Sequence, residues 1–574
     1  MVNNFLSPRL LALLLPLILL GHVGYYLLAG PAFYASDDLA YAQRAYDLLT
    51  GQYQLTAHSF DNRFGAFIPV VLPYALFGVD PYTTTLWPLV CSLILITLVY
   101  RIATRVWDQA TGLLAALLLA FNPWQINAST ILGVDLMMSL LLFLVAWAIY
   151  HARRAEGMMQ RRVWLLVAAL LLLSTMFTRL NFIWIFPFLA VVMGHDLLKR
   201  QHHRFWLEAV VVALLTLVAY FGFYEVVAGD ALLRIHFLEG ILEQQRQMGD
   251  HVARQYYILE GWQAYAKRLS YEPILLIMSR PGLLIVTLLA LPLLWLWRPM
   301  QGWVKPGGMR LAGYWLLYGM MMLGIYWFGT RSFSAYNLMD LKARYLLPIL
   351  PPLALLAAMA LRRLLQLGAL GVGVSWRQVT LALLVWLGLL FGLKSLGYEK
   401  VQLLLVGAPL LFWLGLLAWR GREPLSRLQQ GIALSGLLLG LSIAPLFSIA
   451  NGAIGPLFFE TSERTVVAKH LSEPSQPTLL LTDQRSSEAL PYRLGFNPPA
   501  ALTIQAWRHL KGQPFPRSDR ARRVLVLVHG FRLGKINPKD PTHYPPEVIN
   551  PPAHWSLLHE AQGVQLFEIK GERP

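Results

Sequence analysis

The sequence predicts an all-α polytopic membrane protein that ends in a small extramembrane α/β domain. Three observations carry this expectation. Hydrophobic residues fill 56% of the 574 positions and the mean hydropathy is +0.50, more apolar sequence than one soluble core buries. The apolar residues come in runs long enough to cross a hydrocarbon layer of about 30 Å. From about Pro456 the composition changes: prolines multiply and short β-like runs appear.

The basic residues set the order of the spans. They cluster at Arg9, at Arg101 and Arg105, from Arg153 to Arg162, Lys199 to Arg204, Arg298 to Arg310, Arg362 to Arg377, and Arg420 to Arg427. With each cluster in the cytoplasm, an even number of crossings separates consecutive clusters. The run 163–193, about 30 residues or ~45 Å as a helix, then holds two crossings, with Arg179 at their outer turn. Leu113–Ala120 and Ile131–Tyr150 pair likewise, turning outside through Phe121 to Asn127, so Asp135 lies near the outer end of its helix. This count gives about thirteen transmembrane helices, near 9–29, 83–105, 110–121, 129–151, 162–178, 180–198, 205–228, 275–297, 311–329, 344–361, 378–396, 401–419 and 430–450. The first run resembles a signal peptide, with Ala29 and Ala32 after it, but its length favours an uncleaved anchor.

An odd count from a cytoplasmic N-terminus divides the chain into a transmembrane domain, 1–455, and an extracytoplasmic domain, 456–574. In the latter, Thr478–Thr482 and Val524–Val528 read as strands and Ser486–Leu494 as a helix. Two further outer segments are long. Residues 30–82 carry an acidic motif, and residues 229–274 form a lid-like surface helix with Arg246, His251, Arg254, Tyr256, Tyr257 and Trp262 in an amphipathic pattern.

Several function classes drop out. The net charge of +17 comes from loop clusters, with no aromatic-basic interleaving outside the spans, so nucleic acid is not an expected partner. Cys91 is the sole cysteine and sits in an apolar run, which excludes an internal disulfide and a cysteine metal cluster. There is no Walker loop and no Gly-x-Gly-x-x-Gly after a strand. A nucleotide cofactor is therefore not expected, and an activated group on the outer face would be carried on a lipid phosphate.

With this topology Asp37, Asp38, Asp61, Arg63, Asp135, Arg179 and Arg344 all fall at outer helix ends, forming a rim suited to a lipid headgroup. Transporters place ionisable groups nearer the bilayer midplane. Each residue also has a plain structural reading. Ser36 or Asp37 could cap the helix Leu39–Thr50; Asp61 could belong to a polar turn; Asp135 could cap its span. Arg179 and Arg344 oppose the positive-inside tendency, and each would gain by pairing with a phosphate or with an outer aspartate. His529 at a strand end reads as a loop histidine.

The segments Ser36–Tyr41 with Leu48–Gly51, Phe60–Arg63 through Leu76–Gly78, Asn122-Pro123 with Asp135, Phe177–Leu180, and Ala343–Pro348 with Pro351-Pro352 span residues 1 to about 450. In order and placement the chain resembles GT-C glycosyltransferases, close to bacterial aminoarabinose transferases and protein O-mannosyltransferases that use polyprenyl-phosphate sugars. The resemblance implies that Asp37 is the catalytic carboxylate, beside Asp38 where relatives often carry glutamate. It implies that Asp38 and Asp61 hold a divalent cation, Mg or Mn, although Asn62-Arg63-Phe64 departs from the Lys-Pro-Pro that often follows in relatives. It further implies substrate contacts from Tyr41, Arg63, Asp135, Arg179, Arg344 and Tyr345, with Arg179 at the donor phosphate. The expected partners are a polyprenyl-phosphate sugar donor, a glycan, lipid or protein acceptor, and membrane lipids, with transfer by inversion. A lipid-linked glycan ligase or polymerase is the nearer rival, and a transporter or flippase the more distant one.

Overall fold

The computed structural model describes residues 8–570 except 35, 248–261, 279, 291–305, 331, 335, 337, 340–341, 370–375, 396–400, 421–425, 452–453, 457–459, 511–512, 520 and 530–544. Most of the predicted lid motif, from residue 248 to 261, and part of the predicted span 275–297 lie outside the described residues; of that span, helices are described over Glu272–Met278 and Pro281–Ala290. The chain forms two compact units. The first comprises residues 1–28, 54–66 and 88–454, and the second residues 29–53, 67–87 and 455–574.

The helices up to residue 228 are α1 (Pro8–Ala29), α2 (Asp37–Leu49), α3 (Phe64–Phe77), α4 (Pro81–Val106), α5 (Gln109–Ala120), α6 (Pro123–Ser129), α7 (Val134–Arg154), α8 (Met158–Thr178), α9 (Ile185–Leu198) and α10 (His203–Ala228). Seven helical segments among the described residues are long and apolar enough to cross a membrane: α4, α7, α8, Leu180–Leu198, α10, Arg310–Phe328 and Ala343–Gln366. Shorter apolar helices accompany them at Leu13–Ala29, α3, α5, Trp376–Phe391, Leu404–Arg420 and Ser435–Ala450. Two details differ from the sequence expectation. Helix α5, at 12 residues, is about 18 Å long, too short to span alone. Helix α3 is an apolar helix inside the expected outer segment 30–82, formed in spite of Pro69 and Pro73.

In the first unit the helices break where the charge parity requires. Helix α8 ends at Thr178, Arg179 is extended (φ −162°, ψ 149°), and a 3-10 turn over Leu180–Trp184 leads into α9. Asn122 caps α6 by accepting from the Trp124 N–H at 2.9 Å, with Pro123 in the first turn. Buried His22 on α1 ties three elements together: Nδ1 is 2.7 Å from the Ala120 carbonyl and Nε2 is 2.9 Å from Ser92 Oγ, which also accepts from Gln125 Nε2. At Gly65 a Cβ would lie 2.0 Å from Thr178 Oγ1, so only glycine lets the start of α3 come this close to the end of α8.

The second unit is built on a five-stranded sheet of β1 (Thr478–Thr482), β2 (Leu502–Ala506), β3 (Arg523–His529), β4 (Trp555–Ala561) and β5 (Val564–Ile569), in the order β2-β1-β3-β5-β4. Strand β1 pairs parallel with β2 and β3, while β5 pairs antiparallel with β3 and β4. Alternate residues of the central strands feed two cores, with Leu480, Leu525 and Leu527 on one face and Leu479, Leu481, Val524 and Val526 on the other. Both faces are covered, so these strands read as unbroken apolar runs. The helix Gln484–Arg493 follows β1 and is capped by Asp483, which accepts from the N–H groups of Arg485 and Ser486.

Candidate active site

The acidic pair lies in the second unit at the start of α2. Ser36 stands at the N-cap without a side-chain cap bond. Asp38 instead reaches back, its Oδ2 accepting from the Tyr34 N–H at 2.5 Å and its Oδ1 from the Ser36 N–H at 2.7 Å. Asp38 is 3% exposed. Burial pushes its carboxyl above the ordinary carboxylate range; the N–H groups of Ser36, Tyr34 and Leu39 oppose the rise, and the charge of Asp37 adds to it. Asp37 is half-buried, with Oδ1 3.5 Å from Ser36 Oγ. The two aspartates therefore divide the work, Asp38 fixing the turn and Asp37 standing at its surface. Tyr41, expected to touch substrate, is fully buried on the inner face of α2, so its ring packs in the core instead.

The turn before α2 is held from the C-terminal part of the same unit. Glu460 Oε1 accepts from the Phe33 N–H at 3.1 Å, and Arg485 Nη2 donates to the Tyr34 carbonyl at 2.8 Å. The Phe33 ring stacks on Tyr492 at 4.0 Å, with the Arg493 guanidinium 4.9 Å from the Phe33 centroid. Arg493 donates to Glu460 at 2.9 Å and pairs with Glu463 at 3.4 Å, all three side chains being nearly inaccessible. Burial works against the Arg493 charge, but the Glu463 and Glu460 carboxylates outweigh it and raise its pKa. His529, expected on a loop, closes β3 as a buried residue with Nε2 3.6 Å from Glu463.

The first unit holds a second constellation. Asp135, in the first turn of α7, accepts from Arg179 Nη1 at 2.7 Å and lies 3.6 Å from Arg344 Nε. Arg179 Nη2 donates to the Tyr345 hydroxyl at 2.8 Å, and its guanidinium is 4.5 Å from the Tyr345 ring centroid; Arg344 is 5.6 Å from the same centroid. Four residues from three distant parts of the sequence thus form one cluster, with two arginines on Asp135 among the described residues. Arg344 is its open member, with 39% side-chain exposure against 13% for Arg179. Asp61 is buried in the turn before α3, where Thr56 Oγ1 donates to its Oδ2, and Arg63 lies 5.0 Å from the Phe60 ring centroid.

Among the described residues no three His, Cys, Asp or Glu side chains converge on one point. Both Asp38 oxygens accept backbone N–H groups, and Asp61 Oδ2 accepts Thr56.

Other positioning residues left little trace in the sequence. Arg268, 1% exposed, donates to the carbonyls of Trp327, Tyr326 and Met339, and Tyr326 donates to the Lys342 carbonyl. It thereby anchors both sides of the segment that leads to Arg344. Arg234 donates to the Met176 carbonyl, in the last turn before Arg179, and to the Tyr220 hydroxyl. The only available signal was an arginine in a segment expected outside.

Residues 67–222 match the sequence profile of the dolichyl-phosphate-mannose-protein mannosyltransferase family. No curated protein matches the chain in sequence. In fold it is similar to the apo crystal structure of ArnT from Cupriavidus metallidurans, with a TM-score of 0.57 at 16% identity over 98% of this chain and 99% of that one. The structure of the same ArnT bound to undecaprenyl phosphate gives 0.55 at 15% identity over 99% and 100%. The chain is therefore a multi-pass membrane protein that shares the fold of ArnT.

Proposed function

We propose that this protein is a glycosyltransferase that moves a hexosyl or pentosyl group from a polyprenyl-phosphate donor to a glycan, lipid or protein acceptor, with inversion at the anomeric carbon. The observation that carries the reading is the Asp135-anchored cluster, which brings Arg179 and Arg344 together over Tyr345 and leaves the Arg344 side chain 39% exposed. A fixed, cation-rich, aromatic-backed group of this kind suits a phosphate ester. In the ArnT structure of the same fold the bound lipid is undecaprenyl phosphate.

The chemistry follows from charge. The acceptor hydroxyl or amine loses a proton as it attacks the anomeric carbon, and a carboxylate within hydrogen-bond reach takes it. We assign this to Asp37, with Asp38 setting its turn. The carbon–oxygen bond to the polyprenyl phosphate breaks, the phosphate keeps the electron pair, and Arg344 with Arg179 stabilises the added charge. No step is routed through a metal ion.

We also place the protein in the inner (plasma) membrane, with a cytoplasmic N-terminus and residues 456–574 outside, on the strength of the basic clusters. The experiment is transfer by the purified protein in detergent, offered a radiolabelled polyprenyl-phosphate sugar or the matching nucleotide sugar. Transfer from the lipid-linked donor alone is expected. Transfer from the nucleotide sugar without lipid would sink the proposal.

A further inference from the structure

The end of the first unit's helix bundle opposite Asp135 carries a feature that sugar transfer does not use. Asp135 and Arg153 sit in the first and last turns of α7, about 27 Å apart along the helix. Beside Arg153 is a cavity of about 1160 Å³ whose Lys and Arg lining, Arg153, Arg154, Arg161, Lys199, Arg204 and Arg310, faces a single lining carboxylate, Glu156. The other nearby acids are already engaged. Asp196 accepts from Arg153 and from Trp206 Nε1, and Glu208 accepts from Arg161 at 2.8 and 2.9 Å. Lys199, Arg204 and Arg310 remain exposed.

The loop that presents Lys199 and Arg204 is a held conformation. Arg200 and His202 both adopt left-handed backbone, at φ 53° and 58°, which side-chain-bearing residues rarely do.

A second, independent observation identifies the ligand. An apolar cavity of about 320 Å³ lies between α7, α8, α9 and α10, lined by Ile149, Leu165, Met193, Trp206 and Ala213 among others. Consecutive residues face the two cavities: Tyr150, Val192 and Phe205 line the basic one, and Ile149, Met193 and Trp206 the apolar one. A phosphate site and a greasy slot with common walls match an amphiphile rather than a soluble anion. We propose that this end of the bundle binds an anionic phospholipid, its phosphate among Lys199, Arg204 and Arg310 and part of one acyl chain in the apolar cavity. A zwitterionic headgroup fits poorly, since its ammonium finds only Glu156.

The test is lipid retention by the full chain in a neutral detergent, read by native mass spectrometry. Dioleoylphosphatidylglycerol should half-saturate the wild type at about tenfold lower concentration than dioleoylphosphatidylcholine. The triple variant K199Q/R204Q/R310Q should lose at least about tenfold in phosphatidylglycerol affinity and little for phosphatidylcholine. If it does not fold, R310Q alone should lose about fivefold. Ala213→Phe, which fills the apolar cavity and leaves every charge in place, should also weaken phosphatidylglycerol. Equal retention of the two lipids, or unchanged phosphatidylglycerol binding in the charge variants, overturns the proposal. So does full displacement by millimolar inorganic phosphate, which marks a soluble-anion site, or by undecaprenyl phosphate at lower concentration than phosphatidylglycerol, which marks a carrier site.

Discussion

The two arginine–carboxylate clusters use the same chemistry for opposite ends. In the second unit Arg493 lies between Glu460 and Glu463 with side-chain exposures of 3%, 1% and 4%. Its cation meets two carboxylates, its surroundings are dry, and one partner, Glu460, reaches the backbone ahead of Asp37. In the first unit Asp135 faces two arginines, and the more weakly held one, Arg344, is 39% exposed. A buried, dry ion group specifies a conformation, whereas an open arginine can meet a ligand. The difference lies in burial, since both groups pair arginine with carboxylate.

If that contrast is right, the largest effect falls on folding. Arg493→Ala leaves two buried carboxylates without their cation and should destabilise the protein by about 3–5 kcal/mol. The midpoint of thermal unfolding in detergent reads this, and a wild-type midpoint would erase the distinction between the clusters. Next in size, Asp37→Asn should lower transfer by ~100-fold or more with the unfolding midpoint unchanged; near-normal turnover by the folded variant would remove Asp37 from the chemistry. Arg344→Ala should weaken the donor by roughly ten- to hundredfold, again without a stability change. Titrating donor against initial rate separates this from a loss of turnover, and donor affinity equal to wild type would make the open cluster structural too.

The smallest effect is a pH slope. Because the Asp38 carboxyl is raised by burial, the folded protein holds its proton more tightly than the unfolded chain. Stability is therefore fully present below the ordinary carboxylate pKa and declines as pH rises through the raised value. Asp38→Asn should lack that decline, so unfolding midpoints of wild type and variant compared from acid to neutral pH should diverge in slope. Parallel slopes would show that Asp38 does not carry the proton.

Much of this was legible in the sequence because membranes impose a one-dimensional rule. Apolar runs and basic clusters located the helices, and parity alone put the break between α8 and α9 at Arg179. The same count placed Asp135, Arg179 and Arg344 at outer helix ends, and Tyr345 came from the resemblance. Helix α3 was hidden because two prolines in a 14-residue stretch read as a loop. Strands β1 and β3 were visible as apolar runs buried on both faces. Strands β2 and β4 mix buried with exposed positions and carry little apolar signal. The partners of the acidic turn were invisible for a different reason: nothing local in Glu460 or Arg485 records that they bond to residues 33 and 34.

That separation has a consequence in time. The Phe33 N–H and its acceptor Glu460 are 427 positions apart, so at about 5–20 residues per second the ribosome needs about 20 to 85 s after making the turn to supply the group that holds it. The spans can enter the membrane one after another while the acidic turn is still without its support. Competence therefore arrives last, and a chain stopped before Glu460 should insert into the membrane yet transfer no sugar, which carbonate extraction and an activity assay on the same membranes would show. The late arrival of Glu460 delays the support of the acidic turn by that interval.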